Sequence, residues 1–411
     1  MKKDKLSANL LSNHCKYTSS TITELNKISE SLESSGKEII RLNRGDPVRY
    51  FPTPKYIIDA YTKALKEGKT YYSNPAGLQE LRKTIANKYT KITKGNLSSE
   101  NILITAGVSE ALLMLNNTLI NSGDTAILPT PHFTTYSNLL KLHGGHSIII
   151  NYNENKNWRL DLDMLKEKIK KTRRPIKYLI FSNPNNPTGA ILNKKELKML
   201  VEIANANDIL LVSDETYDEI VYNGAKFNSL AEVAKGVPHI ILNGSSKVLS
   251  CTGFRVGYAI FPEQDKKSML IKQKMCDFAA LRFSVNTPAQ YAVLEALRNV
   301  KEHKKYMATM INTIQEQSNY AANLINSTEH MCVIKPNSTF HLLPRISFKN
   351  TIFKNDVQFA EELLKQKHVK VSRGSAFGAN SHIRITTLPN KEILKNGISK
   401  IDEFIRENKK S

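Results

Sequence analysis

The sequence predicts an α/β protein, with a large domain built on a mostly parallel seven-stranded sheet and a smaller α+β domain beside it. Three observations carry this. Between residues 101 and 261 short apolar runs alternate with amphipathic helical stretches, the pattern of strands joined by crossover helices. Beyond residue 262 the pattern changes to long helical segments bordering a few short strands. A chain of 411 residues is also too long for one small core and suits two packed lobes.

Taken in order, residues 1–37 are polar, with helical spacing at Ile22, Leu25, Ile28 and Leu32, and read as an arm plus one helix. Residues 39–42 form a short strand running into the turn cluster Asn43-Arg44-Gly45-Asp46-Pro47. Pro52 and Pro54 punctuate the entry to a helix at 55–67, and a second amphipathic helix covers 78–91. Strands then fall at 102–104, 126–128, 147–150, 176–181, 209–212, 240–242 and 258–261, with helices at 109–121, 135–143, 160–171 and 194–204. The last two strands are joined too tightly for a long crossover, so one of them runs antiparallel. Helices at 263–278 and 288–325, strands at 340–348, 368–372 and 383–386, and a helix at 391–408 complete the chain. The expected division is 1–46 as arm and part of the small domain, 47–290 as the large domain, and 291–411 as the small C-terminal domain.

The net charge of +21, from 59 Lys+Arg against 38 Asp+Glu, raises the question of nucleic acid. The lysines are spread along the chain, however. The one dense run, Lys168 to Arg174, sits at a helix end before Pro175, where cations complement the helix dipole. No aromatic–basic interleaving accompanies it, so no nucleic-acid partner is expected. No apolar run has the length of a membrane span, and none of signal-peptide length follows the basic start, so a cytoplasmic protein is expected. Cys15, Cys251, Cys276 and Cys332 form no C-x-x-C pair, and His143 and His146 flank Gly144-Gly145 in a turn between helix and strand, so no metal is expected.

The most informative stretch runs from Asn243 to Gly257, a polar loop between two apolar runs. Small residues precede Lys247, which lets backbone and hydroxyl groups approach a ligand closely. Arg255 follows eight positions later between Gly253 and Gly257, and its guanidinium fork suits a phosphate. An amine beside a fixed cation has a depressed pKa, which favours imine formation with a carbonyl. Lysine for an aldehyde and arginine for a phosphate together suggest pyridoxal phosphate. The motif N-G-x-S-K-x-x-x-x-T-G-x-R-x-G-Y resembles the Schiff-base segment of the fold-type-I (class I/II) aminotransferases.

In open α/β sheets ligands sit beyond the carboxyl ends of the strands, and the remaining polar motifs fall there. Ala106-Gly107-Val108-Ser109 joins a strand to a helix N-terminus, an anion site by its free N–H groups. With Ser245, Ser246 and Arg255 it reads as the phosphate cup. Asn183-Pro184-Asn185-Asn186-Pro187-Thr188-Gly189 is similar to the family's motif, which implies that Asn186 hydrogen-bonds the phenolic oxygen of the cofactor. By the same resemblance Asp214 pairs with the pyridine nitrogen, Tyr217 is a second donor to the phenolic oxygen, and Phe133 stacks on the ring. Tyr72, with Tyr71 as its competitor, then reaches the phosphate of a neighbouring subunit in a homodimer, Arg384 clamps the substrate α-carboxylate, and Gly45 lets backbone approach that carboxylate. Lys247 is the Schiff-base lysine and, once free, the general base.

The likeness covers about residues 41–384 and is nearest to the prokaryotic alanine (glutamate–pyruvate) aminotransferases, through Ile40 to Pro47 and Val285 to Gln290. The substrates it implies are an amino acid and a 2-oxo acid, alanine/pyruvate with glutamate/2-oxoglutarate. Another amino acid such as aspartate, a carbon–sulfur β-lyase on the same fold, and a PLP-sensing regulator are the alternatives, and the last lacks any helix-turn-helix segment before the core. There are departures from the family pattern. Arg44 stands where relatives carry an apolar residue, Ser338-Thr339-Phe340-His341 replaces a Gly-Ala-Phe-Tyr-like segment, and residues 17–20 lack the usual arm arginine. Arg44 and Arg282 are therefore the candidates for reading a distal carboxylate.

Overall fold

Strict alternation along the central strands sorts their side chains into two cores. In Thr125–Thr130, Ala126 and Leu128 enter one hydrophobic layer and Ile127 the opposite one. In Leu210–Asp214, Leu210 and Val212 face the first layer and Leu211 the second. A strand apolar on both faces needs helices on both, and the sheet is covered accordingly. The structure is a computed structural model describing residues 21–262, 266–348 and 351–410. The expected arm around Tyr17 to Ser20, and Cys15, lie outside the described residues.

After β1 (Ile40–Arg41), the chain forms β2 (Ile102–Thr105), β3 (Thr125–Thr130), β4 (His146–Asn153), β5 (Arg159–Leu160), β6 (Ile176–Ser182), β7 (Leu210–Asp214), β8 (His239–Gly244) and β9 (Gly257–Ile260). Strands β2 to β9 make one eight-stranded sheet in the order β2-β9-β8-β7-β6-β3-β4-β5. Its centre, β4-β3-β6-β7-β8, is parallel. Strand β9 runs antiparallel to both β8 and β2, as the short connection demands.

All seven expected strands are present, and β5 is an addition. It pairs antiparallel with the end of β4, so Leu160 is a strand residue rather than the first residue of a helix. The helix begins at Leu162 because the Asp161 side chain accepts from the Met164 N–H and caps it. That helix ends at Lys171, within the basic run. His143 caps the helix Thr134–Leu142, with its ring nitrogens on Leu139 O and Asn117 Oδ1, inside the expected turn.

The smaller lobe contains β10 (Met331–Cys332), β11 (His341–Leu342), β12 (Arg345–Ile346), β13 (Val369–Lys370), β14 (Ser372–Arg373) and β15 (Ile383–Thr386). The strand expected at 340–348 breaks at Pro344, which has no N–H for a ladder, so β11 pairs with β15 and β12 with β10. The strand expected at 368–372 divides in the same way, β13 pairing with β1 and β14 with β15. The lobe closes around Phe353, Phe359 and Phe404, with ring centroids 5.1–5.5 Å apart. Helix Lys391–Glu407 adds Leu394, Ile398, Ile401 and Phe404 at helical spacing.

The helix expected at 288–325 is two helices, Thr287–Arg298 and Val300–Asn326, with Asn299 capping the second. Residue 290 lies in the first, whose Ala289, Ala292 and Val293 belong to the large lobe's core. The second serves both lobes: Met307, Met310 and Ile314 pack in the large core, and Ala321, Ala322 and Ile325 in the small one. Among the described residues no helix is long and apolar enough to cross a membrane.

Candidate active site

The parallel strands deliver their carboxyl ends to a cavity of about 380 Å³ between the lobes. Eleven of the sequence candidates line it: Gly45, Val108, Ser109, Phe133, Asn186, Asp214, Tyr217, Ser246, Lys247, Arg255 and Arg384.

Lys247 follows β8, and its Nζ donates to the Gly45 carbonyl at 2.6 Å. Burial pushes its ammonium down to about 8, the Asp46 charge opposes this, and Arg384 and Arg255 push it further down. A minor fraction of the amine is therefore neutral near physiological pH, far more than for an ordinary lysine, which supplies the form a nucleophile or base requires.

Asp214 ends β7. Tyr136 donates its hydroxyl to Oδ2 at 2.6 Å, and the Thr216 N–H donates to Oδ1 at 3.2 Å. Burial raises the carboxyl pKa, while the bonds from Thr216 and Tyr136 and the Lys247 charge pull it back. Among the described residues no cationic side chain lies within ion-pair distance of it. A buried carboxylate in that condition fits a protonated ring nitrogen.

Helix Val108–Leu119 starts at Gly107 with no side chain capping it, so first-turn N–H groups are available to an anion. Arg255 lies against this terminus, with Nη1 on Thr252 O at 3.0 Å and Nη2 on Ala106 O at 3.3 Å. Gly107 does not itself line the cavity but makes the approach feasible: a Cβ there would sit 2.3 Å from Arg255 Nη2, and its φ is +79°. Gly257 is needed for the same reason, since its Cβ would meet the Gly107 backbone at 2.6 Å. The donor set fits a phosphate, and the whole cavity fits pyridoxal phosphate.

Arg384 projects from β15 into the cavity. Its Nη1 donates to Asn186 Oδ1 at 3.1 Å, and its Nη2 to Asn43 O at 3.0 Å and Ser372 Oγ at 3.3 Å. The guanidinium lies 4.5 Å from the Phe377 ring centroid. Burial lowers its pKa to about 10, and no carboxylate forms an ion pair with it among the described residues. An enclosed cation with only neutral partners could hold a carboxylate.

Five candidates stand elsewhere than expected or outside the cavity lining. Gly107 has been described. Ser245 is buried and spends its hydroxyl on the Val256 carbonyl at 2.9 Å, so it offers nothing to a phosphate. Arg282 pairs with Glu110 at 2.8 Å and donates to Ile104 O at 2.9 Å. Its donors are committed to the fold, which corrects its expected role at the substrate. Arg44 is half-buried and does not line the cavity either. Tyr72 is 78% exposed and stacks on Phe283 at 5.1 Å, away from its own chain's cavity.

The sequence reading missed Asp46, Tyr136, Ser182, Thr216, Thr252 and His341 as lining residues. Thr216 was legible, two places after Asp214 where a side chain turns back on the backbone. Tyr136 was legible at i+3 from Phe133 on a helix. His341 stood in the segment that departs from the family pattern.

Residues 37–401 match the family described as aminotransferase class I and II. The chain is 34% identical over 393 residues to the probable aspartate/prephenate aminotransferase of Aquifex aeolicus, covering 95% of this chain and 96% of that one. It is 31% identical over 384 residues to the glutamate-pyruvate aminotransferase of Escherichia coli, covering 92% and 93%. The solved alanine aminotransferase from Pyrococcus furiosus superposes with a TM-score of 0.91 at 33% identity, covering 97% of this chain and 100% of that one. The chain belongs to the class I and II aminotransferases. Members depend on pyridoxal phosphate, and this protein is a PLP-dependent amino acid aminotransferase.

Proposed function

We propose that the enzyme moves an amino group between glutamate/2-oxoglutarate and alanine/pyruvate, in the cytoplasm, as a homodimer with shared active sites. The observation that carries the substrate class is Arg384, a carboxylate-free guanidinium in one cavity with a lysine held near pKa 8. Alanine and glutamate–pyruvate stand in the names of two of the similar proteins and support this pair. Aspartate stands in others and is the second reading.

Pyridoxal phosphate, when bound, supplies an aldehyde that condenses with amines and a ring that accepts the electron pair of a deprotonated α-carbon. Lys247 would hold it covalently, Arg255, Ser246 and the N–H groups of Val108 and Ser109 would hold its phosphate, and Phe133 would wall its ring. Asn186 and Tyr217 would donate to its phenolic oxygen, and Asp214 would keep its ring nitrogen protonated. Arg384 binds the α-carboxylate of either substrate, next to the Gly45 backbone, and so fixes the α-carbon within reach of Lys247. Lys247 Nζ, in its neutral form, would take the proton from the substrate α-carbon and deliver it to the carbon on the other side of the amine nitrogen. The two half-reactions use the same groups in opposite order.

The dimer reading is supported by an exposed apolar patch. Tyr72 and Phe283 stack at 78% and 60% exposure beside Leu281 at 78%. The thiols of Cys251, Cys276 and Cys332 are unpaired, which supports a reducing compartment. A donor and acceptor panel on the purified protein tests the substrate pair. Glutamate-dependent conversion of pyruvate to alanine is expected, whereas turnover of aspartate with neither of these would overturn the pair. Elimination without 2-oxo-acid-dependent turnover would overturn transamination itself.

A further inference from the structure

His341 stands at the base of the cavity with its side chain 1% exposed. Its position is tightly fixed. A Cβ on Gly45 would lie 2.8 Å from its Cε1, and Phe340 and Tyr217 meet it edge-on at 4.8 and 6.0 Å between ring centroids. Its Nε2 is 3.3 Å from the Tyr217 hydroxyl, which has no other hydrogen-bonded side chain among the described residues. Its Nδ1 is buried and has no hydrogen-bond partner among the described residues. Burial, and then the charges of Arg384 and Lys247, hold the ring's pKa well below the usual value, so it is neutral and carries one N–H.

That single proton has two places to sit. On Nδ1 it would be a buried donor with no acceptor, the costlier kind of orphan. On Nε2 it is donated to the Tyr217 oxygen, and Nδ1 is left as a bare lone pair. We infer that His341 is a positioning residue which donates from Nε2 to Tyr217 and thereby turns the tyrosine's own proton into the cavity. This rests on the reading of Lys247 and Tyr217 as cofactor-holding residues, and deepens it. A tyrosine, which the family pattern has here, could give or take at this point, whereas a neutral imidazole with an orphaned Nδ1 gives. A donor onto the Tyr217 oxygen polarises its O–H and strengthens its bond to the cofactor's ring oxygen. That bond stabilises the negative charge on the ring oxygen once the lysine-linked nitrogen has lost its proton.

The test is a pH titration of the visible absorption of the cofactor-loaded protein. The charged groups facing Lys247 are Asp46, Arg384, Arg255 and Asp214, and those facing Tyr217 are Arg384 and Asp214. All remain in place in the variants used. Tyr217→Phe is expected to raise the midpoint. His341→Phe is expected to raise it by about 0.5–1 unit, the net worth of one neutral hydrogen bond. The double variant should match Tyr217→Phe alone, because the histidine acts through the tyrosine. His341→Gln, whose amide N–H reaches the place of Nε2, should keep the wild-type midpoint, and His341→Asn, whose amide falls short of it, should not. This second pair decides the matter if the phenylalanine variant fails to fold. Equal midpoints in wild type, Gln and Asn variants, or a His341→Phe shift that adds to that of Tyr217→Phe, would overturn the inference alone. A wild-type protein with no borohydride-reducible band dependent on Lys247 would overturn the Lys247 reading, and this inference with it.

Discussion

Replacing Lys247 with methionine in the cofactor-free protein should make it more stable at neutral pH. The amine is held at about 8 against an ordinary 10.5, chiefly by burial. At 1.36 kcal/mol per unit, keeping it charged in the folded state at pH 7 costs about 3 kcal/mol. The neutral side chain is free of that cost but loses the bond to Gly45 O, worth about 1 kcal/mol. A net gain of about 2 kcal/mol is expected. Between pH 8 and 10.5 the unfolded chain keeps the proton that the folded chain has released, so wild-type stability rises with pH through this window. By pH 9.5 the residual cost is about 1 kcal/mol, and the gap between variant and wild type should nearly close. Urea denaturation of both cofactor-free proteins at pH 7 and pH 9.5 measures it. A gap that stays constant, or a variant less stable at pH 7, would show that the lysine is not desolvated and that its reactivity has another cause.

Arg384→Lys keeps the charge but loses the planar fork, and kcat/KM should fall by about 2–4 kcal/mol for every amino donor alike; a donor-selective loss would move Arg384 from the α-carboxylate to the side chain. Asp214→Ala should still bind pyridoxal phosphate, detected by absorbance, but lose on the order of 10²-fold or more in kcat, and a variant within a few-fold of wild type would leave Asp214 as a strand-end cap. Arg282→Leu should act on stability, by about 1–2 kcal/mol because the partly exposed Glu110 is left unpaired, and should cost glutamate and alanine turnover equally; a loss confined to glutamate would restore Arg282 to the substrate. Mixing Lys247→Ala with Tyr72→Phe protein should give activity above the sum of the parents, because one site of each heterodimer escapes both lesions. No gain after verified subunit exchange would count against shared sites.

Many of the residues that line the cavity could be picked out in the chain because they stand close to strand ends, and their roles at a cofactor are what the family resemblance implies. Lys247, Asp214 and Asn186 each follow an apolar run within a few residues, and strand ends in a parallel sheet converge on one edge. The central strands were legible for the same reason, since both faces are buried. What escaped depends on partners far along the chain. Arg282 looked like a spare cation until Glu110, 172 residues away, took it. The cavity role of His341 depends on Tyr217, 124 residues away. Strand β5 is two residues at a sheet edge, too short to carry a period, and the 340–348 run hides a change of pairing partner at Pro344.

The long helix Val300–Asn326 carries a consequence for how the molecule comes apart. Where its two halves meet, buried Ser318 hydrogen-bonds Tyr222 at 3.1 Å on the large-lobe side and Thr387 at 3.0 Å on the small-lobe side. Both lobes draw core residues from this helix, so the two are expected to unfold as one cooperative unit. Backbone amides around Ser318 should exchange with deuterium only through the global transition, and heat or denaturant should give one unfolding step instead of two. Any change in the width of the cavity that keeps both cores intact would have to be carried by bending along this helix and sliding at its flanks.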